Sequence, residues 1–179
     1  DGIRDYKVTG VQTCALPISG RFEHIHLGQN FTVIIDYAHT PDGLEKVLIE
    51  ANALSKDRKG KVRTLFGCGG DRDRSKRPQM GRIGSENSYW VILTNDNPRT
   101  EDEDRIIKDI EAGITTRNYE VILDRQKAIE KIIHQANEND IIILAGKGHE
   151  NYQIIGTEKL FFDDKLEAET QIKKRLGAT

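Results

Sequence analysis

Four short segments combine residue types that can hold a small charged molecule. Residues 146–150, GKGHE, supply two glycines, a cation, an imidazole and a carboxylate. Glu150 could hold an ammonium group, and Lys147 could meet a phosphate. His149 has no second histidine at metal-ligand spacing and reads as structural. Residues 96–99, DNPR, offer acceptors on Asp96 and Asn97, a stiffened turn at Pro98 and the guanidinium fork of Arg99. That set suits a zwitterionic amino acid, with acceptors for its ammonium and arginine for its carboxylate. The plain reading is an Asn-Pro turn ahead of a helix.

Residues 67–78, GCGGDRDRSKRP, place three glycines and four cations within twelve positions. Glycines let backbone approach a ligand closely. Arg72, Arg74, Lys76 and Arg77 could clamp a carboxylate or phosphate, the arginines in bidentate fashion; the competing reading is a solvated basic loop. Residues 36–43, DYAHTPDG, supply Asp36, which could bond a sugar hydroxyl or a cation-bound water, and His39, which could donate to a ligand oxygen. A helix start there favours negative charge, although Thr40 and Asp42 also suit plain capping. Neither GxxxxGK[ST] nor GxGxxG after the first strand occurs in the chain.

The surrounding pattern predicts what must carry these segments. Apolar, β-branched runs at 31–36, 62–66, 90–94, 120–123 and 141–145 read as buried strands, with a shorter one at 22–27. Helices are expected from Pro41 through Leu54, near 79–86, over 101–113, over 125–137 and over 165–176, with a basic loop at 56–61 and a last edge strand at 160–162. Alternating strands and helices imply an α/β domain: a Rossmann-like, mostly parallel sheet with helices on both faces. Ligands in such sheets bind beyond the carboxyl ends of the strands, where all four segments fall.

With 27 basic and 29 acidic side chains the net charge is −2, which argues against nucleic-acid binding by bulk charge. The 36% hydrophobic and 31% charged content fits a globular chain, and 179 residues suffice for one real core. The longest apolar runs, such as 141–144, are too short to span a bilayer. Two cysteines, Cys14 and Cys68, in no metal-like spacing suggest a reduced, cytoplasmic setting. Residues 1–19 lack any period and any signal-peptide pattern, and VTGVQTCALPIS resembles translated sequencing-adapter sequence. The chain starts with Asp1 and its sole methionine is Met80, so it is expected to be a fragment or a processed product. The first nineteen residues are expected to be foreign to a domain over 20–179, the alternative being a natural linker or the end of a preceding helix.

In order, GRFE, DYAHTPDGLE, FGCGGDRD…KRP…MG, DNPRTED and AGKGHE…YQ resemble the carboxyl-terminal domain of the Mur ligases, in particular the diaminopimelate-adding branch. The resemblance runs from Gly20 to about Leu176 and implies an ATP-dependent acid–amino-acid ligase of peptidoglycan synthesis. It would join meso-diaminopimelate to UDP-N-acetylmuramoyl-L-alanyl-D-glutamate through an acyl phosphate. By position, Arg72, Asp96, Asn97, Pro98, Arg99, Gly146 and Glu150 match the family's diaminopimelate set, and Arg21, Asp36 and His39 match positions facing ATP. No catalytic residue and no metal ligand is expected here, because the P-loop domain that binds ATP and Mg2+ has no counterpart in these residues. The partners implied are small molecules, with no nucleic acid and no membrane insertion, acting on a monomer. Two other readings stay open: a fragment of a related folylpolyglutamate synthetase, and a stand-alone module binding an amino acid or a nucleotide.

Overall fold

The computed structural model describes residues 20–177. The expectation that residues 1–19 are foreign and pack little against the domain lies outside the described residues. From residue 20 onward the elements run β1 (Glu23–Ile25), β2 (Thr32–Asp36), α1 (Pro41–Arg58), β3 (Val62–Phe66), α2 (Lys76–Asn87), β4 (Trp90–Leu93) and α3 (Glu103–Glu111). Then follow β5 (Tyr119–Val121), α4 (Arg125–His134), β6 (Ile141–Ala145), β7 (Tyr152–Ile155), β8 (Glu158–Phe161) and α5 (Asp164–Arg175).

Six strands form one sheet in the order β1-β2-β6-β3-β4-β5. All neighbours are parallel except β1 on β2. Side chains alternate between the faces of a strand, and both faces here are covered, which is why every residue of β2, β3 and β6 is buried. Ile34, Phe66, Val91 and Ile143 pack on one side with Leu44 and Leu48 of α1, Met80 of α2 and Ile106 and Ile110 of α3. Val33, Leu65, Ile92 and Leu144 pack on the other with Ile129 and Ile133 of α4 and Ile172 of α5. The expected α/β fold class is the one observed.

Local chemistry sets the element ends. Thr40 accepts a hydrogen bond from the Gly43 N–H at 3.2 Å, and Pro41 occupies the first turn of α1. That helix runs through Arg58, so the loop expected over 56–61 is corrected. Lysine and arginine favour helix and complement its carboxyl-terminal dipole, and the chain leaves the helix only at Lys59, in the left-handed region at φ 58°. Helix α2 likewise starts earlier than expected, at Lys76, because Pro78 is tolerated within a first turn. Helix α3 starts later, with Asp102 accepting from the Arg105 N–H, which leaves Glu101 outside it.

The edge strand expected over 160–162 is also corrected. It is β8, and it pairs antiparallel with β7 in a hairpin separate from the main sheet. Only half-buried and exposed residues make up β7, so it lacks the apolar run that marked the sheet strands. The hairpin is nonetheless tied to the DNPR loop. The Arg99 N–H donates to the Ile154 carbonyl at 3.0 Å, and the Gly156 N–H donates to the Arg99 carbonyl at 2.7 Å.

Candidate functional site

Four loops leave the carboxyl ends of β2, β3, β4 and β6 and meet around a cleft of about 410 Å³. Tyr37 and His39 come from the loop after β2; Gly69, Arg72 and Lys76 follow β3; Asp96, Asn97 and Arg99 follow β4; Gly146, Glu150 and Tyr152 follow β6. Strand order reverses around β6, which lies between β2 and β3 although it follows both in sequence. Such a reversal spreads the adjoining loops apart and opens a crevice. Six of the seven residues expected to hold diaminopimelate line this cleft; Pro98 is buried beside it. A larger cavity of about 580 Å³ lies at the opposite end of the sheet around Tyr89, and none of the expected site residues lines it.

The cleft carries both signs of charge. Asp96 is buried, and its Oδ1 has no hydrogen-bond partner among the described residues, with Lys147 Nζ 3.4 Å away. A buried carboxylate oxygen left without a donor is costly unless something supplies one. Glu150 accepts from Asn97 Nδ2 at 3.1 Å and, more loosely, from the Tyr37 hydroxyl at 3.4 Å. Burial, then the Glu150 charge and hydrogen bond, push the phenols of Tyr37 and Tyr152 above their ordinary value, so both stay protonated as donors. Arg99 Nη1 donates to the Gly70 carbonyl at 2.8 Å and to that of Asn97 at 3.3 Å. Its Nε and Nη2 have no partner among the described residues. Arg72 is exposed and, among the described residues, donates only to the adjoining Asp71 carbonyl.

Asn97 ties its own loop to the loop after β6 and to strand β7. Its Oδ1 accepts from Lys147 Nζ at 3.1 Å and from the Ile154 N–H at 3.0 Å, while its Nδ2 holds Glu150. Asn97 is therefore a positioner of the acidic group. Gly146 adopts φ +114°, which lets the chain leave β6 close against Asp96.

Several expected roles are corrected. Lys147 does not face a ligand phosphate: it is fully buried, donating to Asn97 and to the Tyr152 carbonyl at 2.6 Å. Burial lowers its pKa, against the pull of the Asp96 charge. Arg77 is not a clamp either. It is fully buried and bonds Glu101, Asp109 and the Gly69 carbonyl. Arg74 pairs with Glu101 at 3.0 Å. Of the four cations in that loop, Arg72 and Lys76 alone line the cleft.

Arg21, Asp36 and His39 lie together around an adjoining cleft of about 200 Å³ at the start of α1, which shares Tyr37 and His39 with the first. Asp36 is mainly structural: its Oδ2 accepts from the Phe22 N–H and its Oδ1 from the Ala38 N–H, both at 2.8 Å. His39 and Arg21 are exposed.

The motifs did not single out Tyr37, Tyr152 or the buried pair Arg125–Asp164 as site residues. Arg125 donates twice to Asp164, at 2.7 and 2.6 Å, and also to the Asn95 and Ala145 carbonyls, tying the ends of β4 and β6 to α5. Both tyrosines stood inside the quoted motifs, and a phenol among acids and cations was their signal. Nothing in the sequence pairs Arg125 with a residue 39 positions on.

The chain is thus a mostly parallel α/β domain with a mixed-charge cleft at its topological switch point. Residues 20–148 match the family described as "Mur ligase, glutamate ligase domain". The chain belongs to the Mur ligase family. It is 51% identical over 160 residues to the UDP-N-acetylmuramoyl-L-alanyl-D-glutamate--2,6-diaminopimelate ligase of Bacillus cereus, covering 89% of this chain and 32% of that protein. It is 48% identical over 167 residues to ligase 1 of the same description from Clostridium acetobutylicum, covering 92% of this chain and 34% of that protein. A solved structure of such a diaminopimelate ligase superposes with a TM-score of 0.78 at 41% identity, covering 89% of this chain and 32% of that one. A bifunctional folylpolyglutamate synthase/dihydrofolate synthase from Yersinia pestis shares the fold, with a TM-score of 0.58 at 17% identity over 92% of this chain and 32% of that one. The chain thus spans about a third of the length of the relatives it matches.

Proposed function

We propose that residues 20–179 form the amino-acid-binding domain of an ATP-dependent ligase that joins meso-diaminopimelate to UDP-N-acetylmuramoyl-L-alanyl-D-glutamate. The observation that supports it best is the meeting of Asp96 and Glu150 with Arg72 and Arg99 in one cleft, from three separate loops. Diaminopimelate carries a second ammonium–carboxylate end that lysine lacks. In this reading the free nitrogens of Arg99, with Arg72, take the distal carboxylate. Glu150, Asp96 and the Gly146 carbonyl accept from the distal ammonium, with Asn97 holding Glu150 and Pro98 stiffening the turn. The arginine fork left without an anion then rejects lysine.

Arg21 and His39 fit the rim of an ATP site, offering a cation and an imidazole beside the amino end of α1, while Asp36 shapes the turn. Among the described residues no group of three or more His, Cys, Asp or Glu could hold a metal ion, so Mg2+ would be held by other parts of the ligase. Among the described residues no helix is long and apolar enough to cross a membrane. The ligase is proposed to act in the cytoplasm, as a monomer, on small-molecule partners alone.

Calorimetric titration tests the reading. meso-Diaminopimelate should bind this chain at least about tenfold more tightly than lysine. Arg99→Ala should cost diaminopimelate on the order of 2–5 kcal/mol, the range for breaking a hydrogen-bonded charge pair, and leave lysine nearly unchanged. Since about 1.4 kcal/mol is tenfold, the preference should largely vanish. Equal binding of the two amino acids by the wild-type chain would overturn the substrate assignment.

A further inference from the structure

Resting on that reading, we propose that Gly69 is a specificity-determining position: its missing side chain sets where the Arg99 fork lies. A Cβ built on Gly69 would stand 2.9 Å from Arg99 Nη1, closer than such atoms approach, and its next neighbour is the flexible Arg72 Cγ at 3.6 Å. Gly69 has no left-handed backbone that would demand glycine. What a side chain here would meet first is the guanidinium that lies across it.

The backbone at Gly69 cannot retreat to make room. Its carbonyl accepts from Arg77 Nη2 at 3.1 Å, and Arg77 is itself fully buried and fixed by Glu101 and Asp109. The next residue is clamped from the other side. The Gly70 N–H donates to the Asn97 carbonyl at 2.9 Å, and the Gly70 Cα lies so close to the Pro98 carbonyl that a Cβ there would stand 1.8 Å from that oxygen. The loop after β3 and the DNPR loop are therefore locked together, and the movable object is the Arg99 side chain. An added methyl group would push Nη1 off the Gly70 carbonyl and swing the planar fork with it. A bidentate contact tolerates little rotation, so the effect falls on a ligand that uses the fork and spares one that does not.

A double-mutant cycle on this chain, read by calorimetry, tests the proposal. Gly69→Ala should weaken meso-diaminopimelate at least about fivefold and change lysine less than about twofold. In the Arg99→Ala background the same substitution should have little further effect on diaminopimelate, because the group it strikes is gone. The Arg99 Nε–Hε cross-peak should shift in Gly69→Ala while backbone amides of β2 and β6 stay in place, which also reports that the variant is folded. If Gly69→Ala weakens diaminopimelate equally in both backgrounds, or not at all while Arg99→Ala does, Gly69 does not act through Arg99 and the proposal falls, leaving the substrate reading intact. If Arg99→Ala itself leaves the preference unchanged, the substrate reading fails and takes this inference with it.

Discussion

At the scale of the residue, Lys147 shows how a side chain that looks like ligand chemistry can be framework. It stands in a glycine-flanked loop beside a cleft, the usual setting of a phosphate-binding lysine, yet its ammonium is turned inward to Asn97, Tyr152 and Asp96. Sequence could not reveal this, because the choice depends on two acceptors and a carboxylate converging on the ammonium from separate parts of the chain. The Asp96, Arg99 and Glu150 side chains, by contrast, were legible: charged groups at strand ends in an α/β pattern have few places to go but the switch-point crevice. Lys147→Met keeps the stem and deletes the charge. It should destabilise the domain by about 3–5 kcal/mol, the range for stripping one partner from a buried charged pair, since Asp96 loses its counter-charge and the Asn97 and Tyr152 oxygens lose their donor. Equilibrium unfolding in denaturant measures this, and a loss below about 1 kcal/mol would show that the lysine is dispensable to the framework.

At the scale of the element, the strands and the layer order were readable because β2, β3 and β6 are rich in apolar and β-branched residues and are buried throughout, with polar side chains only at Thr32, Asp36, Arg63 and Thr64. The β7–β8 hairpin was not, because it is held by backbone bonds to Arg99 and by Lys147 and Asn97 rather than by burying an apolar face. A similar tie joins the loop after β3 to the loop after β4 through Glu101, which accepts from Arg77 and from the Asp71 N–H at 2.6 Å and forms an ion pair with Arg74. The Arg77 hydrogen bonds, opposed by desolvation and helped by the Asp71 N–H, hold the Glu101 carboxyl at about 2, below its ordinary 4.5. A depressed folded pKa means the tie is fully present above the unfolded value and is lost as pH falls through the folded one. Wild-type melting temperature should therefore exceed that of Glu101→Gln at neutral pH, and the gap should close between about pH 4.5 and about pH 2. A gap independent of pH over that window would show that the carboxylate charge is not what joins the loops.

At the scale of the whole molecule, the chain's charges are divided by task. The ion pairs Arg125–Asp164 and Arg77–Glu101 are spent inside the fold, while Arg72, Arg99 and Glu150 are left in the cleft. Phosphoryl transfer asks for something else: a backbone cradle with a lysine for the β- and γ-phosphates, a bound Mg2+ and an in-line nucleophile. No GxxxxGK[ST] occurs in the 179 residues, Lys147 is buried against Asn97, Lys76 on the cleft wall donates to the His39 carbonyl at 3.0 Å, and the described residues offer no acidic cluster for a metal. The cleft's arginines suit a carboxylate, and the neighbouring cleft at α1, about 200 Å³, has Arg21 as its one cation among the described residues. The purified chain should therefore bind amino acid without turning over ATP. With meso-diaminopimelate, the UDP-linked dipeptide, ATP and Mg2+ all present, ADP release should not exceed the protein-free blank. ADP formation that depends on the dipeptide acceptor and follows the chain through purification would show that phosphoryl transfer can be assembled from these residues after all.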